Sequence, residues 1–344
     1  MNRSRRKALL ALELAGLALL APSPALRFGG GIVTAYGLCT AAAALLAVIV
    51  FERLRIRALH LPKKDGPIAV FFRVDALELA LWCVPSALLG ARLAYVLLRP
   101  GYYLFDMGPL HALCLWEGGF LLWGAVSGAM AAACLLAKKK KENALELLDG
   151  MAVPGLLMIA LCRLAEVFAG EGLGAWIENP ALMRFPIAVS NGYGEWQLAV
   201  FLFEAAYALL LIAPVLRAQA GQGKRLAAAL VLYGCGQIVF ESLRMDSCLR
   251  IGFVRVSQVL SALAVLGVTA WQHHLRGGKS AAIRRCVLPL VCIALVGGIE
   301  WALDKTQVSN ILLYAVMAAL CAVMAVNALG GILKNREIRK EERP

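Results

Sequence analysis

The sequence predicts an all-α protein that crosses a membrane several times. Of its 344 residues, 61% are hydrophobic and only 17% are charged, whereas about a quarter of the residues in a soluble domain are charged. The hydrophobic residues form long uncharged runs, and a run of about 18 residues or more can cross the hydrocarbon core as a helix. Isolated strands are excluded, because a segment in lipid must satisfy its own backbone hydrogen bonds.

The first 30 residues combine a basic start with a short apolar run. Arg3, Arg5, Arg6 and Lys7 precede the run at 8–21, which contains Glu13 and is followed by a Pro-Ser-Pro-Ala segment. This order is typical of a cleaved signal peptide, and an uncleaved helix is the alternative. We favour the uncleaved helix, because a glutamate is unusual in the apolar part of a signal peptide.

Nine longer spans follow at intervals along the chain. The apolar runs predict helices at 31–51, 74–98, 118–137, 147–168, 196–216, 226–241, 254–271, 286–303 and 311–333. We expect residues 31–275 to form a seven-helix membrane core. Residues 276–344 add two transmembrane helices and a basic tail, so three regions are predicted when the first 30 residues are included.

The basic residues predict the orientation of these spans. They gather after the first, third, fifth and seventh long spans and again at the C-terminus. Cytoplasmic loops carry an excess of Lys and Arg, so these segments and the C-terminus are expected in the cytoplasm. The arrangement requires ten crossings, or nine if the first segment is removed. It also explains the net charge of +13 without nucleic-acid binding, which we do not expect.

The opposite ends of seven helices carry polar or glycine residues at one expected depth. The prominent ones are Tyr36, Arg92, Arg99, Gly118, Gly119, Arg163, Glu166, Glu171, Glu195, Glu241, Arg244 and Gln258. Ionisable groups at that depth are costly and indicate a functional site. Arginines bind phosphate well, and carboxylates can hold arginines or accept protons. We therefore predict a polar chamber open to the outer leaflet, while helix packing alone would also explain each glycine.

The order of these motifs resembles the prolipoprotein diacylglyceryl transferases of bacteria over about residues 31–271. The central motif is Arg163 to Gly174, which is similar to the family signature Gly-Arg-x-Gly-Asn-Phe-x-Asn-x-Glu-x-x-Gly. Other matching segments are Tyr36-Gly37-Leu38, Gly90 to Tyr95, Trp116 to Gly124, Trp196-Gln197-Leu198, Tyr233-Gly234, Glu241 to Arg244 and Ser257-Gln258. The N-terminal segment and the last two spans lie outside the resemblance.

The resemblance implies an enzyme of the bacterial cytoplasmic membrane. Such an enzyme transfers the diacylglyceryl group of phosphatidylglycerol, or of a related anionic phospholipid, to the lipobox cysteine of an exported prolipoprotein. No cofactor is implied, and no Cys or His spacing typical of a metal site occurs among the ten cysteines. The residues that match the family motifs, and that we expect to bind substrate, are Tyr36, Arg92, Gly118, Gly119, Arg163, Gly174, Glu241, Arg244 and Gln258.

Four positions depart from the family motifs. Trp123 replaces a histidine, Glu166 an asparagine, Gln237 an arginine and Cys162 a glycine. A rearranged site would use Glu166 or Glu171 as the base. His111 in an outer loop is a further candidate to replace the histidine, although a loop histidine is more often simply solvated.

The catalytic set predicted from these motifs is Arg163, Glu166 and Glu171. Arg163 and Arg244 would clamp the lipid phosphate, with Glu171 and Glu241 orienting them. Two other functions stay open. The chain could bind phospholipid without catalysis or serve another acceptor, or it could be a transporter. The transporter is disfavoured because the charged residues cluster at one face, with Glu13 and Glu204 the exceptions near mid-membrane, and because no paired halves are seen.

Overall fold

The computed structural model describes residues 3–18, 27–28, 33–59, 74–115, 118–190, 194–218, 221–246, 249–306 and 309–333. Its helices are α1 Arg3–Ala18, α2 Ala35–Leu59, α3 Ala76–Leu98, α4 Leu122–Lys140, α5 Ala144–Ala165, α6 Val200–Arg217, α7 Lys224–Leu243, α8 Val256–Lys305 and α9 Asn310–Leu333. Helix α8 is broken at Gly278, where φ is 71° and ψ is −167°. Every predicted span has a helix, so the all-α fold class is confirmed.

Seven helices in the described residues are long and apolar enough to span a membrane. They are Ala35–Arg57, Ala76–Leu98, Ala144–Phe168, Val200–Arg217, Lys224–Leu243, Gly278–Lys305 and Asn310–Gly330. The helices at the predicted spans 8–21, 118–137 and 254–271 fall short of this measure, because α1 is short and basic, α4 ends in three lysines, and the first half of α8 contains several polar side chains. The protein is therefore a multi-pass membrane protein, and the number of crossings stays a prediction.

Three long helices begin four residues later than predicted, and the first is α2, which starts at Ala35 rather than at residue 31. The third span was expected to begin at Gly118, but α4 begins four residues later because Gly118 and Gly119 have positive φ values of 76° and 73°. The fifth span was expected to begin at Trp196, but residues Trp196–Leu198 form a strand, and α6 begins at Val200. Polar loop segments at helix ends can satisfy their backbone groups in water, so strands are possible there.

Three antiparallel hairpins interrupt the helices in the described residues. Strand β1 (Arg27–Phe28) pairs with β2 (Val33–Thr34), β3 (Ala188–Ser190) with β4 (Trp196–Leu198), and β5 (Arg250–Ile251) with β6 (Val254–Arg255). Each of them leads directly, or within two residues, into α2, α6 or α8. The hairpins thus fix the points at which these three helices begin.

The chain divides into two compact units. The first comprises Met1–Gly172, Phe201–Ile212 and Gln219–Leu226, and the second comprises Leu173–Val200, Ala213–Ala218 and Ala227–Pro344. The second unit therefore contains residues of both the predicted core and the predicted C-terminal addition. The predicted division at residues 30 and 275 itself stays a prediction.

In the first unit, α3 and α4 meet through glycines. A Cβ atom added at Gly90 would lie 2.5 Å from the carbonyl oxygen of Gly124, and one at Gly124 would lie 2.6 Å from the Cβ of Ala94. Small residues allow such close backbone approach between membrane helices, where lipid tails give no hydrophobic driving force. The pair is thus held by close packing along its length.

Charged side chains secure other elements of the first unit. Arg6 of α1 lies 3.4 Å from Asp75 and 3.3 Å from Glu78, and Lys140 lies 2.8 Å from the same Glu78 carboxylate. The carboxylate of Asp149 on α5 accepts hydrogen bonds from the backbone N–H groups of Gly221 (2.7 Å) and of Leu226 (2.9 Å).

Candidate active site

Arg163 is the centre of a buried cluster in the first unit. It lies in the last turn of α5, and its Nε is 3.0 Å from Oε1 of Glu204 on α6. Its Nη1 donates a hydrogen bond to Oε1 of Glu166, which begins a 3-10 turn after α5. Residues three apart on a helix share a face, which is why Arg163 and Glu166 meet. One guanidinium is thus held between two carboxylates.

Glu204 is the member of this cluster that sequence reasoning missed. It is fully buried in α6, within an otherwise apolar run. A buried carboxylate in a membrane helix is expected to have a cationic partner, which was the available signal. The partner could not be named, because Glu204 follows Arg163 by 41 positions in the chain and only the fold brings them together.

Gly172 closes one side of the Glu166 carboxylate. A Cβ atom at Gly172 would lie 2.5 Å from Oε2 of Glu166 and 2.6 Å from the Cβ of Phe201, and φ at Gly172 is +73°. The carbonyl oxygen of Gly172 also accepts a hydrogen bond of 2.9 Å from the backbone N–H of Phe201. Only glycine fits this position without strain, for steric and conformational reasons. The loop after α5 is therefore packed onto the carboxylate and the start of α6.

Tyr36 and Glu171 complete the cluster. Tyr36 lies in the first turn of α2, whose N-terminus is capped by Thr34 Oγ1 accepting a 2.9 Å hydrogen bond from the N–H of Gly37. The Tyr36 hydroxyl is within electrostatic reach of Arg163, Glu166, Glu171 and Cys162. The structure thus brings four predicted site residues together, namely Tyr36, Arg163, Glu166 and Glu171.

Arg92 of α3 is engaged by backbone carbonyls. Its guanidinium is buried and donates to the backbone carbonyls of Ala112 (3.0 Å), His111 (2.6 Å) and Gly119 (3.5 Å), and to that of Gly118. It also lies 5.3 Å from the centre of the Tyr103 ring. These bonds join Arg92 to the loop that contains His111, Gly118 and Gly119. The expected role of Arg92 in substrate binding stays a prediction.

A second cluster, in the second unit, surrounds Arg244. Its guanidinium bonds Asp246 through Nε at 3.2 Å and through Nη2 at 2.6 Å. Arg255 lies 3.5 Å from the same carboxylate and donates to the backbone carbonyl of Arg244. Gly174 pairs with Arg244 as an isolated antiparallel bridge. A Cβ at Gly174 would lie 2.9 Å from the carbonyl oxygen of Leu243. Glycine at this position, which matches a glycine of the family motif, therefore allows the two backbones to approach closely.

The other predicted residues of the second unit are also buried. Gln258 uses its amide within the protein: Oε1 accepts from the N–H of Arg255 at 3.0 Å, and Nε2 donates to Glu300 at 2.6 Å. Glu241 lies in the last turn of α7 and is 3% exposed. Gln237, which replaces the expected arginine, is fully buried, and its Oε1 accepts a 2.9 Å hydrogen bond from Ser261.

The structure adds carboxylate partners for both arginines. Glu171 and Glu241 were expected to orient Arg163 and Arg244, and that expectation stays a prediction. The ion pairs seen for Arg163 are with Glu166 and Glu204, and Asp246 bonds Arg244. The predicted base, Glu166, is therefore itself an arginine partner, and Asp246 is a second residue that sequence reasoning did not single out.

The described residues contain no group of three or more His, Cys, Asp or Glu side chains arranged to hold a metal ion. The donors that the structure does gather are guanidinium groups beside carboxylates. Guanidinium groups bind phosphate and carboxylate through paired N–H donors. Chemistry with anionic groups at the membrane is therefore what the arrangement suits.

The fold and these clusters define a class of protein, a polytopic membrane protein with arginine–carboxylate groups buried at the ends of its helices. Residues 24–272 match the family model described as prolipoprotein diacylglyceryl transferase. The chain is also 30% identical over 254 residues to the phosphatidylglycerol–prolipoprotein diacylglyceryl transferases of Streptococcus pneumoniae serotype 4 and serotype 2, covering 71% of this chain and 90% of each relative. The chain belongs to the prolipoprotein diacylglyceryl transferase family and is a transferase.

Proposed function

We propose that this chain transfers a diacylglyceryl group from phosphatidylglycerol to the lipobox cysteine of exported prolipoproteins. The names of its Streptococcus pneumoniae relatives support the reaction. The observation that carries the proposal is the buried Arg163, held between Glu166 and Glu204 beside Tyr36. We assign the site to the outer leaflet of the bacterial cytoplasmic membrane and the C-terminus to the cytoplasm, because the basic segments lie on the opposite side by the positive-inside rule.

The reaction requires a base and a cation. The sulfur of the lipobox cysteine attacks the glycerol carbon that bears the phosphate, so a C–S thioether bond forms while the C–O bond to phosphate breaks. Glycerol phosphate leaves with the electron pair of that bond. The thiol has an ordinary pKa of about 8.5 and must lose its proton to react. The departing phosphate is stabilised by positive charge beside it.

The Arg163 cluster can supply the base. Arg163, Glu166 and Glu204 have formal charges that sum to −1. If one carboxylate takes the thiol proton, a neutral pair of guanidinium and carboxylate remains, so no uncompensated charge is buried. We assign Glu166 as the acceptor, with Glu204 keeping Arg163 in place. Glu171, which lies near Tyr36, is the alternative acceptor.

Arg163 and Arg244 are the residues that we assign to the lipid phosphate. Each is held by carboxylates, which fix the guanidinium in one orientation and reduce the entropy lost on binding. That both arginines act on the same phosphate stays a prediction. We retain three substrate-binding candidates, Tyr36, Glu241 and Gly174. We assign Arg92 and Gln258 to positioning neighbouring segments of the protein, because backbone and side-chain partners engage their polar atoms.

One observation favours a second function, in which the chain binds phospholipid without this chemistry or serves another acceptor. Gln237 stands where the resemblance expects an arginine, and it is fully buried against Ser261. Trp123, where a histidine is expected, has no proton-accepting group. Loss of a base typically lowers a rate about a hundred- to ten-thousand-fold. Phospholipid binding without this chemistry is therefore the function expected if no other group replaces the missing base.

Complementation tests the two functions against each other. A bacterium depleted of its own diacylglyceryl transferase would express this chain together with a reporter lipoprotein, whose mass would then be measured. A diacylglyceryl mass on the reporter cysteine is expected with the wild type and with Glu178→Gln, an exposed control. Arg163→Ala and Glu166→Gln should abolish it. An unmodified reporter, with the wild-type protein folded in the membrane, would refute the transferase and favour lipid binding.

A further inference from the structure

Glu300 lies outside the part of the chain that the family model matches. It belongs to the second half of α8, within the predicted C-terminal addition, and the match ends at residue 272. Its side chain is only 9% exposed although the helix around it is apolar. A carboxylate buried in a membrane helix is costly and indicates a function by default. The partner of Glu300 shows which function that is.

Glu300 fixes the amide of Gln258. Its Oε1 accepts a 2.6 Å hydrogen bond from Nε2 of Gln258, which also donates to the carbonyl of Ile238 at 3.0 Å. An ionised carboxylate accepts and does not donate, so the NH₂ group of Gln258 must face Glu300. The amide oxygen then faces the backbone N–H of Arg255, which donates to it at 3.0 Å. Glu300 therefore determines how Gln258 caps the start of α8.

Arg255 carries this arrangement on to Arg244. Its guanidinium donates to the backbone carbonyl of Arg244 and lies 3.5 Å from Asp246. Asp246 in turn bonds the guanidinium of Arg244 at 2.6 Å. Both the backbone and the side chain of Arg244 are thus positioned by residues that depend on the start of α8.

Helix α9 contacts the same region. The hydroxyl of Tyr314 donates to the backbone carbonyl of Ser242 at 3.4 Å, two residues before Arg244. Tyr314 is also within electrostatic reach of Glu300 and Arg255. Both helices of the C-terminal addition therefore place a polar side chain next to the Arg244 cluster, in segments that are otherwise apolar.

We infer that Glu300 and Tyr314 are positioning residues for Arg244, so that the C-terminal helix pair is a working part of the anion-binding site. Glu300 acts through Gln258 and Arg255, and Tyr314 acts through the end of α7. The ligand class is the phosphate of an anionic phospholipid. This inference rests on the proposed function in one respect, the assignment of Arg244 to that phosphate.

The test compares three variants with the wild type in proteoliposomes of stated phosphatidylglycerol content. Glu300→Leu removes the acceptor for Gln258, Glu300→Gln keeps an oxygen there, and Asp304→Leu is a control on the same helix at an exposed position. We expect Glu300→Leu to raise the KM for phosphatidylglycerol about tenfold or more, the effect of losing one hydrogen bond to a charged group. Glu300→Gln should restore most of the affinity, and the control should match the wild type. KM values for all three variants equal to that of the wild type would overturn the inference.

Two measurements keep the inference testable if a variant or the proposed function fails. Tyr314→Phe removes a single hydroxyl, so it serves if Glu300→Leu does not fold, and it should also raise KM. Hydrogen exchange of the β5–β6 hairpin, Arg250 to Arg255, reports the positioning without any reaction. If the wild type transfers no lipid, the proposed function fails. Positioning would still be supported if Glu300→Leu exchanged faster in this hairpin and bound phosphatidylglycerol vesicles more weakly than the wild type. Unchanged exchange and binding would refute it.

Discussion

The substitution Glu204→Gln separates the charge of the Arg163 cluster from its shape. In the wild type, Nε of Arg163 lies 3.0 Å from a carboxylate oxygen of Glu204, and Glu166 holds the other side of the guanidinium. A glutamine retains an oxygen acceptor in this position. The formal charge of the three side chains changes from −1 to zero, so a proton taken by Glu166 would leave neither of these two partners of Arg163 with a negative charge.

The expected magnitudes follow from that geometry. In Glu204→Gln the charged guanidinium still donates to an oxygen, and a hydrogen bond to a charged group contributes about 1.5–3 kcal/mol, so only part of the interaction is lost and the free energy of unfolding should fall by about 1 kcal/mol. Glu166 could then accept the thiol proton only at the expense of its pairing with Arg163, so the rate of lipid transfer should fall by up to the effect of losing a general base, about a hundred- to ten-thousand-fold. Glu204→Leu removes the acceptor altogether, and breaking a buried pair costs about 3–5 kcal/mol.

The assay is transfer of diacylglyceryl from phosphatidylglycerol to a lipobox peptide, followed by mass spectrometry, with thermal unfolding measured on the same preparations. Glu178→Gln makes the same chemical change at an exposed position and should leave both quantities unaltered. A wild-type rate in Glu204→Gln would refute the role of the cluster's charge. A lost rate that comes with a collapsed unfolding temperature would show that Glu204 is needed for the fold instead.

Two further substitutions test how the site is built. Gly172→Ala should lower the transfer rate at least tenfold, because the added Cβ would collide with Glu166 and φ is +73°. Gly170→Ala is the control, since its backbone is similarly strained at φ +67° but its Cβ would meet no neighbour within 4 Å. Equal transfer rates for the two variants would contradict the packing argument. Arg92→Lys should lower the unfolding temperature measured in detergent, because an ammonium cannot reach the carbonyls that the guanidinium spans. If Arg92→Lys unfolds like the wild type but binds lipid less well, Arg92 is a lipid ligand after all.

The helices could be predicted because lipid imposes a simple rule. Each apolar run must satisfy its own backbone, so composition alone locates the spans. Helix starts were less predictable where glycine conformation decides them. Gly118 and Gly119 begin the third apolar run, and their positive φ values keep them outside α4.

The site was predictable as a set of residue types but not as a set of partners. Arg163 and Glu166 are three residues apart on one helix end, so their contact follows from helix geometry. The contact of Arg163 with Glu204 depends on how α5 and α6 pack, which no local pattern contains. The sequence likewise does not predict that Arg92 bonds the carbonyls of a loop about twenty residues further along the chain.

The glycine contact between α3 and α4 has a consequence for the route of the substrate. A methyl group at Gly90 would already collide with the carbonyl of Gly124, so no methylene chain fits between the two backbones at that height. Fatty-acyl tails are therefore barred from this seam. A phospholipid that enters the first unit sideways from the bilayer must pass between another pair of helices. Bulky labels placed between the other helix pairs would slow lipid transfer at the pair that admits the phospholipid.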